Sequence, residues 1–589
     1  MKNYLNTLTL ALALGTALGL SACNDALNLN PLDQISDAAL WEDPALINAY
    51  LNDIYLGMRH GLYEVQLGSL VDETHFIHGY GTNEVVQSIT SASAAGVWSN
   101  GRTNTPIDAY RWGPVYSRIR QVNILLQNID DSGIEDEDLR NNVKGEAHFL
   151  RAYFYHNLLR AYGGVPIITE VYALDDDLLV GRNTFEETVD FIVAEAQTAA
   201  DLLPMQPRNL GRATEGAALA LKARVLLYAA SDLYSENPAN ELVGYPGGDR
   251  TARWRAAKNA ALDVMNMGLY QLYNRQGDPV ENYTQLFLEN GDHEEIIMSR
   301  FFLEERGDGY NPGLHNGPNG YRNWAGNTPI QQLVDDYEMA DGTEFDWGNP
   351  EHAADPYENR DPRFYASILY DGAYFRPRPP EGAEIEPQGI IQTFEEVTLP
   401  DGSKRPGLDT RDGPIEDWNG GYSGYYLRKF IDPSINHSTS EKQIVPWRFF
   451  RYAEVLLNYA EASIGLGEEG DAREAINQIR RRAGMPDIND TGQALLERYR
   501  NERRIELVFE EHRYWDVRRW KIGSEVYEDA QGIQILAEAT NYQDRSTYSN
   551  YQYDPIFIQD RGWQDRAYFV PIPNDEIQRN SNLVQNPDY

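Results

Sequence analysis

Two stretches of this 589-residue chain gather side chains suited to holding a small polar ligand. The first runs from His75 to Arg111 and contains Trp98-Ser99-Asn100-Gly101-Arg102. The second, Asp308 to Asn327, carries Tyr310, Asn311, His315, Asn319, Tyr321, Arg322, Asn323 and Trp324 among glycines. An exposed aromatic ring stacks on the apolar face of a flat, hydroxyl-edged molecule such as a sugar, while amides, guanidiniums and carboxylates bond its rim. Trp98, Asn100, Arg102, Tyr310, Tyr321, Arg322 and Trp324 are therefore the candidate ligand-binding residues. Trp98 and Trp324 are the stacking platforms, on loops expected to converge on one face. The competing assignment is that either Trp merely pins its loop to the scaffold.

Other chemistry is poorly supported. Gly465-Leu466-Gly467-Glu468-Glu469-Gly470 matches G-x-G-x-x-G, but it follows a helical pattern rather than a strand, and Glu468 and Glu469 would repel a pyrophosphate. It is expected to be a helix–helix turn. His75 and His78 lie near Asp72 and Glu73 without a third placed metal ligand. Asp175-Asp176-Asp177 could hold Ca²⁺ but lacks the alternating pattern of a calcium loop, so a solvated loop is expected there. Neither a nucleophile elbow, nor a Walker loop, nor a zinc-protease helix is visible. With 90 acidic residues, two carboxylates at a glycosidase separation could always be found, so their abundance does not indicate catalysis. The expectation is a non-enzymatic protein with no metal and no cofactor, Ca²⁺ being the one ion with a candidate segment.

The 51 Lys+Arg and 90 Asp+Glu give a formal charge of −39, which argues against a nucleic-acid partner. Apolar residues make up 42%, enough for a large core rather than a disordered chain. The single cysteine cannot form an internal disulfide, and its position is informative. Met1-Lys2-Asn3 precedes a Leu/Ala-rich run from Leu5 to Leu20, then Leu20-Ser21-Ala22-Cys23. That sequence resembles the lipobox of bacterial lipoproteins, whose cysteine carries the lipid. Residues 1–22 are thus expected to be a signal peptide, Cys23 the lipidation site, 23–36 a tether, and 37–589 one domain held at a membrane surface.

The elements that must position the loops are helical. Ala147, Leu150, Phe154, Leu158 and Tyr162 form one apolar stripe ended by Gly163-Gly164. Ala217, Ala220, Leu221, Val225 and Tyr228 form another; Tyr452, Val455, Leu456 and Tyr459 form a third. Helix pairs are predicted at 112–129 with 143–162, 185–203 with 213–232, and 449–465 with 471–483, the last helix capped by Asp471. A unit near 251–270 lacks a clear partner, and a first helix runs to about Met58. The spacing suggests tetratricopeptide-like units over about 112–270 and 447–521. Between about 271 and 445 the chain is rich in Gly, Pro, Asn and Tyr, and such long irregular regions are usually functional. Glu502, Arg503, Arg504, Glu506, Glu510 and Arg513 interleave charges at helical spacing, as on a solvated, salt-bridged helix face worth tenths of a kcal/mol per pair.

Several segments carry a family resemblance. Gly145-Glu146-Ala147-His148-Phe149-Leu150-Arg151-Ala152-Tyr153 runs on to Tyr162-Gly163-Gly164-Val165-Pro166. Then come Gly211-Arg212-Ala213-Thr214, Leu333-Val334-Asp335-Asp336-Tyr337-Glu338-Met339 and Asn359-Arg360-Asp361-Pro362-Arg363. Arg451-Tyr452-Ala453-Glu454, Ile479-Arg480-Arg481-Arg482-Ala483-Gly484, Glu502-Arg503-Arg504-Ile505-Glu506-Leu507 and Gln585-Asn586-Pro587-Asp588-Tyr589 complete the series. Their order resembles the SusD/RagB family of outer-membrane nutrient-binding lipoproteins. The resemblance implies a mainly α scaffold with tetratricopeptide-like pairs and a loop-rich binding side. It also implies an outer-membrane location facing the cell exterior, and a SusC-like TonB-dependent barrel as partner. The cargo it implies is mainly glycan, with peptides in some members. A surface glycoside hydrolase and a protein-binding helical scaffold are the rival readings.

Overall fold

The computed structural model describes residues 37–99, 106–173, 175–438 and 441–589. The expected signal peptide, Cys23 and the tether lie outside the described residues. The rest is mainly α. We label the principal helices α1 (Pro44–Tyr55), α2 (Trp112–Asn128), α3 (Glu137–Tyr162), α4 (Phe185–Leu202), α5 (Glu215–Ala230), α6 (Arg250–Asn266), α7 (Tyr452–Gly465), α8 (Glu469–Ala483), α9 (Gly492–Glu506) and α10 (Arg513–Arg519). Local signals set their starts. Asp136 caps α3 by accepting the Leu139 N–H at 3.1 Å. Thr184 and Glu187 form a reciprocal capping box on α4, at 3.1 and 2.8 Å. Thr214 caps α5.

The three predicted pairs meet, α2 on α3, α4 on α5 and α7 on α8, and the first two are joined by the packing of α3 on α4. The unit without an assigned partner is α6, which packs on both α5 and α7 and so joins the two helical halves. Ala147, Ala220 and Ala223 are buried on their stripes. Where α3 meets α4 the approach is close: a Cβ at Gly145 would lie 2.9 Å from Leu203 Cγ. The G-x-G-x-x-G segment is the α7–α8 turn, with Gly467 at φ 74°.

Three expectations need correction. The first helix is broken: Asp37–Glu42 is separate from α1 because Asp43 caps a new helix with Pro44 at its first position. Asp471 lies inside α8 rather than capping it, and its carboxylate bonds Lys258 at 2.6 Å. The charged face of α9 is not solvated. Glu502, Arg503 and Glu506 are buried, and their partners come from distant segments. Arg451 bridges Glu295, Glu506 and Glu510, while Arg363 bridges Asp361, Glu502 and Glu506. Arg480 ties Glu338 to Glu502. Opposite charges at helical spacing look the same whether they face water or a second layer of arginines. Here each buried charge is paired and hydrogen-bonded, the condition under which burial is tolerated.

Short strands pin the irregular region. β1 (Thr74–Phe76) pairs with β3 (Asn327–Pro329), β2 (Ile296–Arg300) with β8 (Trp447–Arg451), and β4 (Ile368–Leu369) with β7 (Tyr426–Leu427), all antiparallel. β5 (Glu396–Thr398), β6 (Lys404–Arg405), β9 (Ala530–Ala539) and β10 (Tyr548–Gln559) form a sheet in the order β10-β9-β5-β6. One buried apolar cluster extends from Trp41 to Leu583 through both helical regions and the loop-rich region.

Candidate functional site

The β1–β3 ribbon decides which loops meet. Its register sets Thr74 opposite Pro329, His75 opposite Thr328 and Phe76 opposite Asn327. Residues just after 76 and just before 327 therefore emerge at the same end. There His78 Nε2 lies 2.9 Å from the Trp324 carbonyl oxygen, and the Trp324 N–H donates to Leu314 O at 2.8 Å. The backbone is tight: a Cβ at Gly326 would fall 2.6 Å from the His315 carbonyl oxygen. Tyr80, Arg322 and Ala325 all adopt left-handed φ values, 53°, 60° and 48°. That conformation costs a non-glycine residue about 1–2 kcal/mol, so the surrounding bonds must hold it. The Arg322 N–H reaches Asn319 O at 2.8 Å and the Ala325 N–H reaches Gly317 O at 3.1 Å. The result is an indole held at the surface. Trp324 is 38% exposed, with His315 edge-on to its ring at 5.1 Å between centroids.

A second loop, 410–422, is tied to the same place. Asn319 Nδ2 donates to the carbonyl oxygens of Thr410 and Glu416. The Tyr426 hydroxyl donates to Asp409 O at 2.8 Å and lies 3.0 Å from Asn319 Oδ1. Tyr422, 41% exposed, lies over the ribbon with the His75 ring 5.6 Å away. The Arg411 guanidinium sits 4.0 Å above the Tyr422 ring. Trp418 in the same loop is 75% exposed. A large apolar ring turned into solvent on a loop with many polar anchors is the informative kind of exposure. Burial, with Arg561 and Arg411 adding, pushes His75 down to about 3, so it is neutral at physiological pH.

The sequence candidates fare differently. Trp324 is exposed, and Arg322 is exposed beside it, paired with Glu381. Trp98 is only 6% exposed, packed against Tyr110 and Tyr514 at 6.4 and 5.7 Å between centroids, so it pins its loop. Tyr310 is buried, donating to Val445 O at 2.6 Å and packed at a tilt against His60 and Phe302. Tyr321 is buried under the Arg378 guanidinium, its hydroxyl donating to Arg376 O at 2.9 Å. These three rings stabilise loops, because remote partners cover them. Asn100 and Arg102 lie outside the described residues. The two loops adjoin through His78 and the Trp324 carbonyl, and within the first loop the Val97 N–H donates to Gly81 O at 3.0 Å, tying the Trp98 turn to the segment that carries His78. Trp418, Tyr422 and Arg411 were missed by sequence reasoning. Their signal is present in Trp418-Asn419-Gly420-Gly421-Tyr422, the same aromatic–Asn–Gly texture as the Trp324 loop.

His75 and His78 do not share a ligand position in this geometry: His75 faces Tyr422, and His78 faces the Trp324 carbonyl. In the acidic triplet, Asp176 and Asp177 accept backbone N–H bonds from Ala173 and Leu179, forming a loop turn.

The loops thus present exposed aromatic faces flanked by guanidiniums and a carboxylate. The model of the SusD family matches residues 294–589, and a second, described as starch-binding associating with outer membrane, matches residues 31–227. The chain belongs to the SusD/RagB family. It is 23% identical to the SusD-like protein P38 of Formosa agariphila over 564 residues, 90% of this chain and 94% of that one. A crystal structure of a SusD-like protein from Bacteroides fragilis superposes with a TM-score of 0.72 at 29% identity, covering 95% of this chain and all of the other. A SusD-like carbohydrate binding protein from the same species gives a TM-score of 0.71 at 23% identity over 92% of this chain and all of that one, a likeness of fold.

Proposed function

We propose that this protein is a non-enzymatic glycan-binding lipoprotein of the outer membrane, anchored through Cys23 and facing the cell exterior. In this reading it passes captured oligosaccharide to a SusC-like TonB-dependent barrel. The observation that carries the reading is Trp324, an indole held at the surface by strained backbone, with Tyr422, Trp418 and the guanidiniums of Arg322 and Arg411 on adjoining loops. Sugar rings need a wet aromatic face with hydrogen-bonding groups at the edge, and this patch supplies both. The name of the similar carbohydrate-binding protein and the starch-binding description of the family point the same way. Capture by stacking and hydrogen bonding requires no cofactor. A glycan array followed by calorimetry on positive ligands tests the binding claim. Binding without release of reducing ends is expected; turnover of a bound glycan would make the protein a hydrolase instead. Gentle extraction from membranes should recover a large barrel protein with this chain, and repeated recovery of this chain alone would contradict the handover.

A further inference from the structure

Away from the Trp324 patch, a cavity of about 510 Å³ opens between the end of α1, residues 108–111, the first turns of α2, and α3. Four arginines line it, Arg59, Arg111, Arg118 and Arg120, against two carboxylates, Asp53 and Asp108. In a chain of net charge −39, such a concentration of guanidiniums in one hollow needs a reason.

The arginines are held in a particular way. Arg111 bonds Asp108 Oδ1 at 3.0 Å through Nη1. Arg118 uses Nη1 for Asp53 O, Asp53 Oδ2 and Gln121 Oε1, at 2.7, 2.8 and 2.9 Å. Arg120 gives Nη1 to the Tyr172 carbonyl oxygen at 3.2 Å. Among the described residues, all of these bonds are made by Nη1, which leaves the Nε and Nη2 edges of three guanidiniums for another acceptor. The Arg118 stem is fixed as well, since a Cβ at Gly57 would touch its Cγ at 2.9 Å. Asp53 is already occupied twice, by Arg118 and by Gln121 Nε2 at 2.8 Å. The 17-residue helix α2 starts beside this cavity, but the Tyr162 hydroxyl already accepts its Trp112 N–H at 3.2 Å and Pro114 has none to offer, so the guanidiniums carry the positive field.

A guanidinium edge matches the two oxygens of a carboxylate or sulfate, and anchored guanidiniums lose little freedom on binding. The chain's overall negative charge opposes this only weakly at close range. At physiological salt the screening length is about 8 Å, so groups lining the cavity dominate inside it.

We infer that this cavity is an oxyanion-binding site that takes the uronic-acid carboxylate of a glycan. The inference rests on the proposed glycan-binding function and narrows it to acidic glycans.

The test uses the full chain and three probes in calorimetry: an oligogalacturonate, its fully methyl-esterified counterpart, and sodium sulfate as competitor. The acidic oligosaccharide should bind at least tenfold more tightly than the ester, and sulfate should erase that difference. The double variant Arg118→Gln/Arg120→Gln, checked for fold by circular dichroism, should bind the two oligosaccharides equally. Equal affinity in the parent, or a charge preference that survives in the variant, would overturn the site. Sulfate binding that leaves both sugars unaffected would also overturn it, by showing a free-anion site only. The aromatic site is scored separately. If Trp324→Ala leaves the ester's affinity unchanged while the charge preference persists, the stacking site fails and this one stands; the reverse result spares stacking and removes this cavity.

Discussion

Replacing Glu511 with Gln should make the protein more stable at pH 8, although it removes a buried charged-type residue. The Glu511 carboxyl is fully buried; its Oε1 accepts the Leu67 N–H at 3.0 Å and its Oε2 has no protein partner among the described residues. Burial pushes its pKa up to about 8; the Leu67 bond opposes this, and the Glu73 carboxyl nearby adds to it. Glu73 itself is raised to about 7, again by burial first. The sign follows from proton counting. Between about pH 4.5 and pH 8 the folded chain keeps the Glu511 proton and the unfolded chain releases it, so the native state binds more protons and stability falls as pH rises. Below about pH 4.5 both states are protonated and nothing is lost. Each unit of difference is worth about 1.4 kcal/mol, so the full window costs at most about 5 kcal/mol at Glu511. Gln keeps the shape and the acceptor for Leu67 and has no proton to lose. Urea midpoints at pH 5, 6.5 and 8 measure this. The parent and Glu511→Gln should be close at pH 5 and diverge toward pH 8, with the variant more stable. A variant less stable at pH 8, or a difference independent of pH, would refute the reasoning.

The buried network gives the opposite acid behaviour. Burial alone would raise Glu461, but the guanidiniums of Arg519 and Arg503 overcome it and hold the carboxyl at about 2, so its contribution is complete above about pH 4.5 and lost toward pH 2. Arg519→Met removes the ion-pair partner of that carboxylate, leaving it the Tyr499 and Trp520 donors, and should cost about 3–5 kcal/mol at pH 7 by denaturant titration, with the deficit shrinking in acid. Ala220→Phe should overpack the buried stripe of α5 by about 1–3 kcal/mol, seen as a lowered Tm; an unchanged Tm would place that stripe off the core. Cys23→Ser should yield a folded chain that leaves the detergent phase, and persistent detergent partitioning would rule out the lipid anchor.

Much of the scaffold was legible because its signals are local. The Thr184–Glu187 box, the Gly163 stop at φ 80° and the α5 stripe each act within a few residues. What the sequence hid depends on partners far away along the chain. Trp98 and Trp324 sit in loops of similar composition, yet Tyr514 covers one and the β1–β3 pairing, across some 250 residues, lifts out the other. The same distance effect turned the α9 charges inward, because Arg363 and Arg451 lie on other elements. Trp418 and Tyr422 escaped notice because their link to the Trp324 loop runs through one side chain, Asn319, and the backbone of residues 410 and 416.

Paired affinity measurements for Trp324→Ala and Trp98→Ala, with a glycan the parent binds, test the placement of the ligand site most directly. Truncating a central stacking residue removes about 2 kcal/mol or more, roughly thirtyfold in Kd, whereas truncating a buried Trp costs stability at a distance from the ligand. The expected result is a large affinity loss with unchanged Tm for Trp324→Ala, and a lowered Tm with retained affinity for Trp98→Ala. Full affinity in Trp324→Ala, or loss of binding in a Trp98→Ala protein that remains folded, would contradict the placement of the site.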